Sequence, residues 1–393
     1  MFKCDYIIIG SGIIGLTIAF ELVKRNPNKK IVIIDKENDV GFHASGRNSG
    51  ILHAGFYYDK NSLKAKLCIK GNAMMKAFCN KNNIYVNKTQ KVVVAQNSDE
   101  LKTIFELHKR ASLNGVETKI ITSGELKKIN KNIKTYKKAL FSPNTASVNP
   151  IEVLSKLKEI LIEKGVHFRF NTSFNDLNNN EYKYLVNCAG LYADKIAKVF
   201  NLATNYTMLP FKGIYMKYMG KNNGLLNINV YPVPNLSNPF LGVHYTITSD
   251  NSIKIGPTAT PAFWRENYSG LRNFNFLEML EILKYEAKLF ILNSFNFRDL
   301  AIKEIQNYFN SNIIRSAQEL VDHFPNDFKQ IKAGIRAQLL DTKTNQLVQD
   351  FIIEHSEKTT HILNAVSPGF TCSFAFSEYV VDEIENNLKG NCS

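Results

Sequence analysis

The chain has 393 residues, enough for about two domains, and its 44% hydrophobic and 21% charged side chains exclude a disordered or collagen-like polymer. Its formal net charge is +14, from 49 basic and 35 acidic residues. The cations are spread without a dense basic block, an RNP-like run or a Cys/His finger, so no nucleic-acid partner is expected, while peripheral contact with anionic lipid stays open.

The first element is the β-branched run Asp5 to Ile9, followed by a glycine turn from Gly10 to Gly15 and a helix with Leu16, Ala19, Phe20 and Val23 on one face. Asp5, the three glycines and Glu21 break this apolar start, and no small-residue cleavage site follows, so it reads as mature structure and not as a signal peptide. No stretch reaches the ~20 apolar residues that span a bilayer. A cytoplasmic protein is expected, at most peripheral at the inner face of the cell membrane. The next strand, "KKIVIID", ends at Asp35 and completes a β-turn-α-β unit with parallel strands.

Further along, Ser62 to Asn82 and Glu100 to Ser112 read as helices, Gln90 to Asn97 as a strand, and Thr122 or Ser123 as the cap of a short helix. Asn149, Pro150 and Gly165 punctuate an amphipathic helix; "VHFRF" and Tyr182 to Gly190 then read as strands, and "LYADKIAKVF" as a helix. From about Met208 to Ile335, alternating runs predict antiparallel strands around one long helix, "LEMLEILKYEAKLFIL". The end returns to strands in "FIIEH" and "THILNAVSPGF" and closes on a helix. This is an α/β pattern: a Rossmann-like domain from 1–88, 148–205 and 330–393, interleaved with an α+β antiparallel-sheet substrate domain from 89–147 and 206–329. The cysteines (Cys4, Cys68, Cys79, Cys188, Cys372, Cys392) show neither a CxxC pair nor metal-ligand spacing, which fits a reducing compartment and no metal.

"GSGIIG" matches the dinucleotide fingerprint, and its context strengthens the match. A strand precedes it, a helix follows, and Asp35 lies 20 residues beyond Gly15, where a carboxylate accepts ribose hydroxyls. Glycines there let the backbone approach a pyrophosphate, which rests on the N–H groups of the helix N-terminus. NAD and FAD share this ADP portion. The loop "ASGRNSGILHAG", Ala44 to Gly55, tips the reading toward the larger cofactor, since its backbone, Asn48 and Ser49 can hydrogen-bond a flavin; an Asx- and Ser-rich surface loop is the plainer alternative. A third glycine site, "AVSPGFTCS", opens the last helix, whose N-terminus suits a flavin edge that gains negative charge on reduction.

Together "GSGIIG", "HASGRNSGILHAGFYYDKNSLKAKLC", "NCAGLYADKI", "FKGIYMKY", "VYPVPNLSNPFLGVHYT", "KIGPTATPAFWREN", "KAGIRAQLLD" and "NAVSPGFTCSFAFSEYV" resemble the FAD-dependent L-2-hydroxyglutarate dehydrogenase/oxidase family, within the D-amino-acid-oxidase-like flavoenzymes. The resemblance runs from the first strand to the last helix. It implies oxidation of a 2-hydroxy acid, L-2-hydroxyglutarate to 2-oxoglutarate, with electrons passed to a quinone or oxygen. It also implies that Gly10, Gly12, Gly15, Asp35 and Lys36 hold the ADP portion, and that Ser45, Asn48, Ser49 and Gly50 run along the flavin. Val92 and Val93 would lie near the adenine, and Ala189, Gly190, Gly369, Phe370 and Thr371 would complete the site. The chain departs from many family members at Arg47, where they carry histidine, and at Gly369 and Phe370, where they carry alanines.

Such a reaction wants a base of near-neutral pKa. His53, directly after the flavin loop, is the first candidate and His244 the second; a structural role is the competing reading for each. A dicarboxylate wants guanidinium partners, for which Arg336 and Arg47 are the candidates, with Lys212 and Tyr231 behind them. His43 is a candidate cofactor contact. Lys64 and Lys66 read as a solvated helix face, and Cys372 as a small buried residue. Alternatives on the same fold are a flavin-dependent amino-acid or amine oxidase, a glycerol-3-phosphate dehydrogenase, and a non-catalytic FAD-binding partner protein.

Overall fold

The strand Cys4–Ile9 is the axis of the first layer. It pairs in parallel with Ile31–Ile34 on one side and Tyr182–Asn187 on the other, so that Ile7 lies between Val32 and Leu185. A parallel strand is covered on both faces, which is why these three runs are nearly all apolar. Alternate residues divide between two cores. Tyr6, Ile8, Ile31, Ile33, Tyr184 and Val186 face the helices Ile13–Arg25, Leu63–Lys81, Pro150–Glu163 and Gly369–Gly390, while Ile7, Ile9, Val32, Ile34 and Leu185 face Ile196 of the helix Ala193–Val199. Thr359–Asn364 and Ile352–Ser356 extend the sheet at one edge and His167–Arg169 at the other, giving six strands. The computed structural model describes residues 4–177, 181–235 and 240–390; Cys392 and residues 236–239 of the run "VYPVPNLSNPFLGVHYT" lie outside them.

Two further sheets carry the antiparallel texture expected after Met208. One has four strands, with Tyr206–Gly213 and Gly334–Asp341 paired along their whole length from Tyr206↔Asp341 to Gly213↔Gly334. The other has eight strands, and it merges two distant pieces of chain: Asn229–Pro232 lies beside Lys91–Val94 in parallel, a departure from the all-antiparallel expectation. The strand pairing also departs from the expected division at 330, because Gly334–Asp341 belongs with Tyr206–Gly213 and pairing with the six-stranded sheet resumes only at Ile352–Ser356. Helix signals were legible where caps are local. Thr122 and Glu125 form a capping box, and Asn149 accepts the Ile151 N–H ahead of Pro150. The helices Phe297–Gln306 and Asn310–Gln318 were not anticipated, since their short, Asn-flanked sequences carry no such signal. Among the described residues no helix is long and apolar enough to cross a membrane.

The layers are joined by a buried ion pair. Asp194 Oδ1 and Oδ2 accept from Arg265 Nη1 and Nη2 at 2.6 and 2.9 Å, and Oδ2 also accepts the Met208 N–H at 3.0 Å. Asp194 is 0% exposed and Arg265 1%. Burial works against both charges, and the bidentate hydrogen bonds and mutual attraction outweigh it, holding Asp194 below and Arg265 above their ordinary values. Replacing one partner strands a buried charge: Asp194→Asn is expected to cost about 3–5 kcal/mol of stability, read from the urea midpoint. In the unaltered protein the contribution of Asp194 is complete above the ordinary carboxylate pKa of about 4 and is lost as pH falls through the lower folded-state value.

Candidate active site

A cavity of about 790 Å³ lies between the six-stranded sheet and the other two. Gly10, Gly12, Asp35, Lys36, Ser45, Asn48, Ser49, Ala189, Gly190, Gly369, Phe370 and Thr371 line it, and so do His53, Tyr231, His244, Arg336 and Arg47. Residues dispersed over the chain thus converge on one cavity.

At one end the helix Ile13–Arg25 begins at Gly12, which has no side chain to cap it; Ser45 Oγ reaches across and accepts the Ile13 N–H at 2.9 Å. The Ser45 hydroxyl proton stays available to an anion at this helix N-terminus. Asp35 Oδ2 accepts both the N–H and the O–H of Ser11 at 2.7 Å, and Oδ1 accepts the Glu37 N–H at 3.0 Å, so the carboxylate is aimed before any ribose arrives. At the other end the helix Gly369–Gly390 starts on the cavity, and a Cβ placed at Gly369 would have no heavy atom within 4 Å. Asn48 is spent on shape: its amide donates to Ser45 O at 2.7 Å and accepts the Gly50 N–H at 2.8 Å. Two helix N-termini, a preset carboxylate and an open backbone cradle fit a diphosphate, a ribose and a ring edge that gains charge, the three demands of FAD.

Several expected residues stand elsewhere, for physical reasons. Gly15 and Gly50 are packing glycines: a Cβ would fall 2.0 Å from Gly10 O in the first case and 2.1 Å from Val148 O in the second. Val92 and Val93 lie in the eight-stranded sheet, Val92 in its core with Val230 and Tyr245, and Val93 against Phe56, Tyr57 and Tyr231, so neither lines the cavity. The wall beside Asp35 comes instead from Thr172, Ser173, Phe174 and Asn175. Lys212 is cross-strand to Ile335 and therefore points to the face opposite Arg336; its ammonium donates to Asn267 Oδ1 at 3.2 Å. Arg47 is occupied, donating Nε–H to Phe42 O and Nη1–H to Ala333 O while stacking 4.1 Å from the Tyr268 ring centre. Lys64 is not solvated: it is buried near the Phe351 ring, and burial pushes its pKa down to about 8, whereas Lys66 is exposed. His43 does line the cavity, bonded to Glu37 and Tyr268, and Glu37 and Glu266 converge on the Lys36 ammonium, which sits 2.6 Å from each carboxylate. Cys372 packs in the helical core.

The remaining groups form a reacting end. Arg336 donates to Thr258 O at 2.8 Å, lies 5.4 Å from the Phe240 ring centre, and has no ion-pair partner among the described residues. Burial lowers its pKa, with Tyr215 and Glu304 opposing. His244 stacks on Tyr231 with ring centres 3.7 Å apart, and its Nδ1 is 2.7 Å from Gly242 O. A carbonyl only accepts, so Nδ1 carries the proton and Nε2 is the acceptor of the neutral ring. Burial pushes its pKa down to about 3, with Lys91 and Arg336 adding to the effect. His53 is tied by its backbone, N–H to Thr371 Oγ1 at 3.1 Å and carbonyl to Asn72 Nδ2 at 2.9 Å, while its buried Nδ1 has no partner among the described residues. Burial, then Lys91 and His244, hold it well below its ordinary value. Both imidazoles are neutral at pH 7.

Lys91 was overlooked in the sequence, although a lysine opening the buried-type run "QKVVVA" was a signal. It is 0% exposed, its Nζ has no hydrogen-bond partner among the described residues, and it sits 4.3, 4.9 and 5.2 Å from the ring centres of Tyr231, Tyr57 and Phe56. Burial pushes its pKa down to about 7.

Residues 5–383 match the family described as FAD dependent oxidoreductase. The L-2-hydroxyglutarate dehydrogenase of Escherichia coli (strain K12) is 32% identical over 400 residues, covering 98% of this chain and 94% of that one. The mitochondrial L-2-hydroxyglutarate dehydrogenase of Homo sapiens is 30% identical over 420 residues, covering 98% and 89%. Among solved structures, dithionite-reduced L-alpha-glycerophosphate oxidase from Mycoplasma pneumoniae with FAD bound superposes with a TM-score of 0.73 at 20% identity, covering 97% of this chain and 94% of that one. Glycine oxidase from Geobacillus kaustophilus gives 0.72 at 17% identity, covering 98% and 95%. These two likenesses concern the fold.

Because Lys91 is cationic below pH 7 and neutral above it, binding of an anionic ligand at the reacting end is expected to weaken by up to about tenfold as pH rises from 6 to 8. Titrating a dicarboxylate against the holoprotein measures this, and Lys91→Met is expected to flatten the profile.

Proposed function

Because the chain belongs to the FAD dependent oxidoreductase family and, within it, stands with the L-2-hydroxyglutarate dehydrogenases, we propose that it oxidises L-2-hydroxyglutarate to 2-oxoglutarate, with a quinone or oxygen as the electron acceptor. The observation that carries this reading is that Arg336, a guanidinium with no ion-pair partner among the described residues, lines the same cavity as two neutral imidazoles, His53 and His244.

FAD supplies the hydride acceptor when bound. Arg336 clamps one substrate carboxylate, its fork matching two carboxylate oxygens. His53, whose Nδ1 has no protein partner, accepts the hydroxyl proton of the substrate. His244 presents Nε2 beside it, its ring fixed by the Gly242 carbonyl and the Tyr231 stack. The two carboxylates of the substrate offset the charges of Lys91 and Arg336, which raises both imidazoles toward a useful basicity. Phe240, Leu241 and Tyr231 close the reacting end with apolar surface and exclude water.

Anaerobic mixing tests the assignment. L-2-hydroxyglutarate should bleach the flavin band, while its D enantiomer, glycerol 3-phosphate and a panel of amino acids should leave it; bleaching by an amino acid alone would overturn the reading. His53→Ala is expected to keep its flavin and slow reduction by ~10²–10⁴-fold. Arg336→Met should raise KM by about 10- to 100-fold with a smaller change in kcat, as lost charge-assisted hydrogen bonds require.

A further inference from the structure

The segment 264–273 follows the strand Thr260–Pro261 of the four-stranded sheet and stands behind the cavity wall, since neither Glu266 nor Tyr268 lines the cavity. Yet it holds four residues that do: Lys36, His43, Arg47 and Tyr192. Glu266 Oε1 accepts from the Lys36 ammonium at 2.6 Å and from the Tyr192 hydroxyl at 2.9 Å, and Oε2 accepts from the Asn273 amide at 2.9 Å. The Tyr268 hydroxyl is 2.7 Å from His43 Nδ1, and its ring centre lies 4.1 Å from the Arg47 guanidinium. All four belong to the layer of the six-stranded sheet. Lys36 comes just past the strand Ile31–Ile34, His43 and Arg47 flank Ser45, and Tyr192 precedes the helix Ala193–Val199. Ser45 caps the helix N-terminus at the nucleotide end, so the segment steadies the loop that builds that end.

The segment has its own anchorage. Arg265 is locked in the buried pair with Asp194, Trp264 Nε1 donates to Arg272 O at 3.0 Å, and Asn267 Nδ2 donates to Gly270 O at 3.1 Å. Glu266 is buried; that works against its charge, but the hydrogen bond from Lys36 and the surrounding electrostatics outweigh it and hold its carboxyl below the ordinary value. Ligand atoms of Glu37, His43 and Glu266 lie within 4.8 Å of one another, close enough to share a metal ion. Lys36 brings its ammonium to that point, 2.6 Å from both carboxylates, so a tethered cation stands where a free one would. Of the two carboxylates only Glu266 belongs to the other layer.

We propose that the segment 264–273 is a strap that retains the cofactor, with Glu266 acting through Lys36 and Tyr192, and Tyr268 acting through His43 and Arg47, to hold the nucleotide end of the cavity closed on FAD. Both are positioning residues, because neither touches the cavity. Release of the cofactor then requires the strap to part from the wall, and its rate is set chiefly by one ion pair between the layers. The inference rests on the FAD site and stands apart from the choice of substrate.

Dilution of the holoprotein, with the gain of free-flavin fluorescence as the readout, tests it. Glu266→Gln and Lys36→Met should each speed FAD release by about 10- to 100-fold, and the double variant should be no faster than the faster single, because both remove the same bond. Lys36→Arg should restore slow release. Glu37→Gln, which meets the same ammonium from the cofactor's own layer, should change the rate by less than about threefold. Tyr268→Phe should speed release by about three- to tenfold. Trp264, the single tryptophan of the chain and buried in the strap, reports its opening: with FAD still bound, acrylamide should quench it several-fold more in Glu266→Gln than in the parent. Release at the parent's rate in both single variants, effects that multiply in the double variant, or Glu37→Gln as fast as Glu266→Gln would each overturn the proposal. So would faster release with unaltered Trp264 quenching, the mark of a lost local contact without a moving strap. If Glu266→Gln does not fold, Lys36→Met, Lys36→Arg and Tyr268→Phe decide the question by the same rates.

Discussion

The buried carboxylate of Asp194 sets the relation between the layers on which the cavity depends. It stands on the helix that covers the six-stranded sheet, accepts the Met208 N–H of the strand Tyr206–Gly213, and grips Arg265 just past the strand Thr260–Pro261. One carboxylate therefore fixes three pieces of chain that no local rule would bring together. Its charge survives burial only because every lone-pair direction that matters is met by a donor. The gap left between the layers thus holds a defined shape, with Leu191 and Tyr192 on its wall and Arg265 bonded to the Leu191 carbonyl.

Within that gap the two ends are built by opposite means. The nucleotide end is made mainly of backbone: one helix N-terminus and a glycine without a side chain at the cap, joined by one carboxylate held by Ser11. Backbone dipoles cannot be protonated away, which suits a permanent anion such as a diphosphate. The reacting end is made of side chains whose charges are under strain. Among the described residues Arg336 and Lys91 form no ion pair, and burial keeps His53 and His244 neutral, with Lys91 adding at both and Arg336 at His244. Such a site is completed electrostatically only when an anionic ligand arrives, so ligand charge and base strength are coupled there.

The outer surface shows a similar division of labour. The helices Phe276–Leu292 and Phe297–Gln306, which support Phe211 and Phe240 from behind, also carry exposed apolar side chains such as Leu277 and Ile302, so one pair of helices has an inner face shaped by the core and an outer face that the single chain leaves uncovered. Burial against the core explains the first set of apolar residues. It does not explain the second, which stays exposed.

The sequence by itself determined the nucleotide-binding unit, because its signals are local: the strand, the glycine turn, the helix and Asp35 fall within a single β-turn-α-β unit, and the caps at Thr122 and Asn149 announce their helices. It also brought His53, His244, Tyr231 and Arg336 into candidacy, and the structure sets all four on one cavity. What it could not determine were facts of register and partner. Lys212 and Arg336 look equivalent as cations until the pairing of Tyr206–Gly213 with Gly334–Asp341 turns them to opposite faces. Arg47 reads as a free guanidinium until the distant Tyr268 ring and Ala333 carbonyl, with the nearby Phe42 carbonyl, occupy it. Lys91, Val92 and Val93 are consecutive, and only the parallel pairing with Asn229–Pro232 decides that Lys91 and Val93 share the face of Phe56, Tyr57 and Tyr231 while Val92 fills the opposite core. A strand shows its alternation in sequence, but which face meets the cavity depends on neighbours far along the chain, and that only the tertiary structure decided.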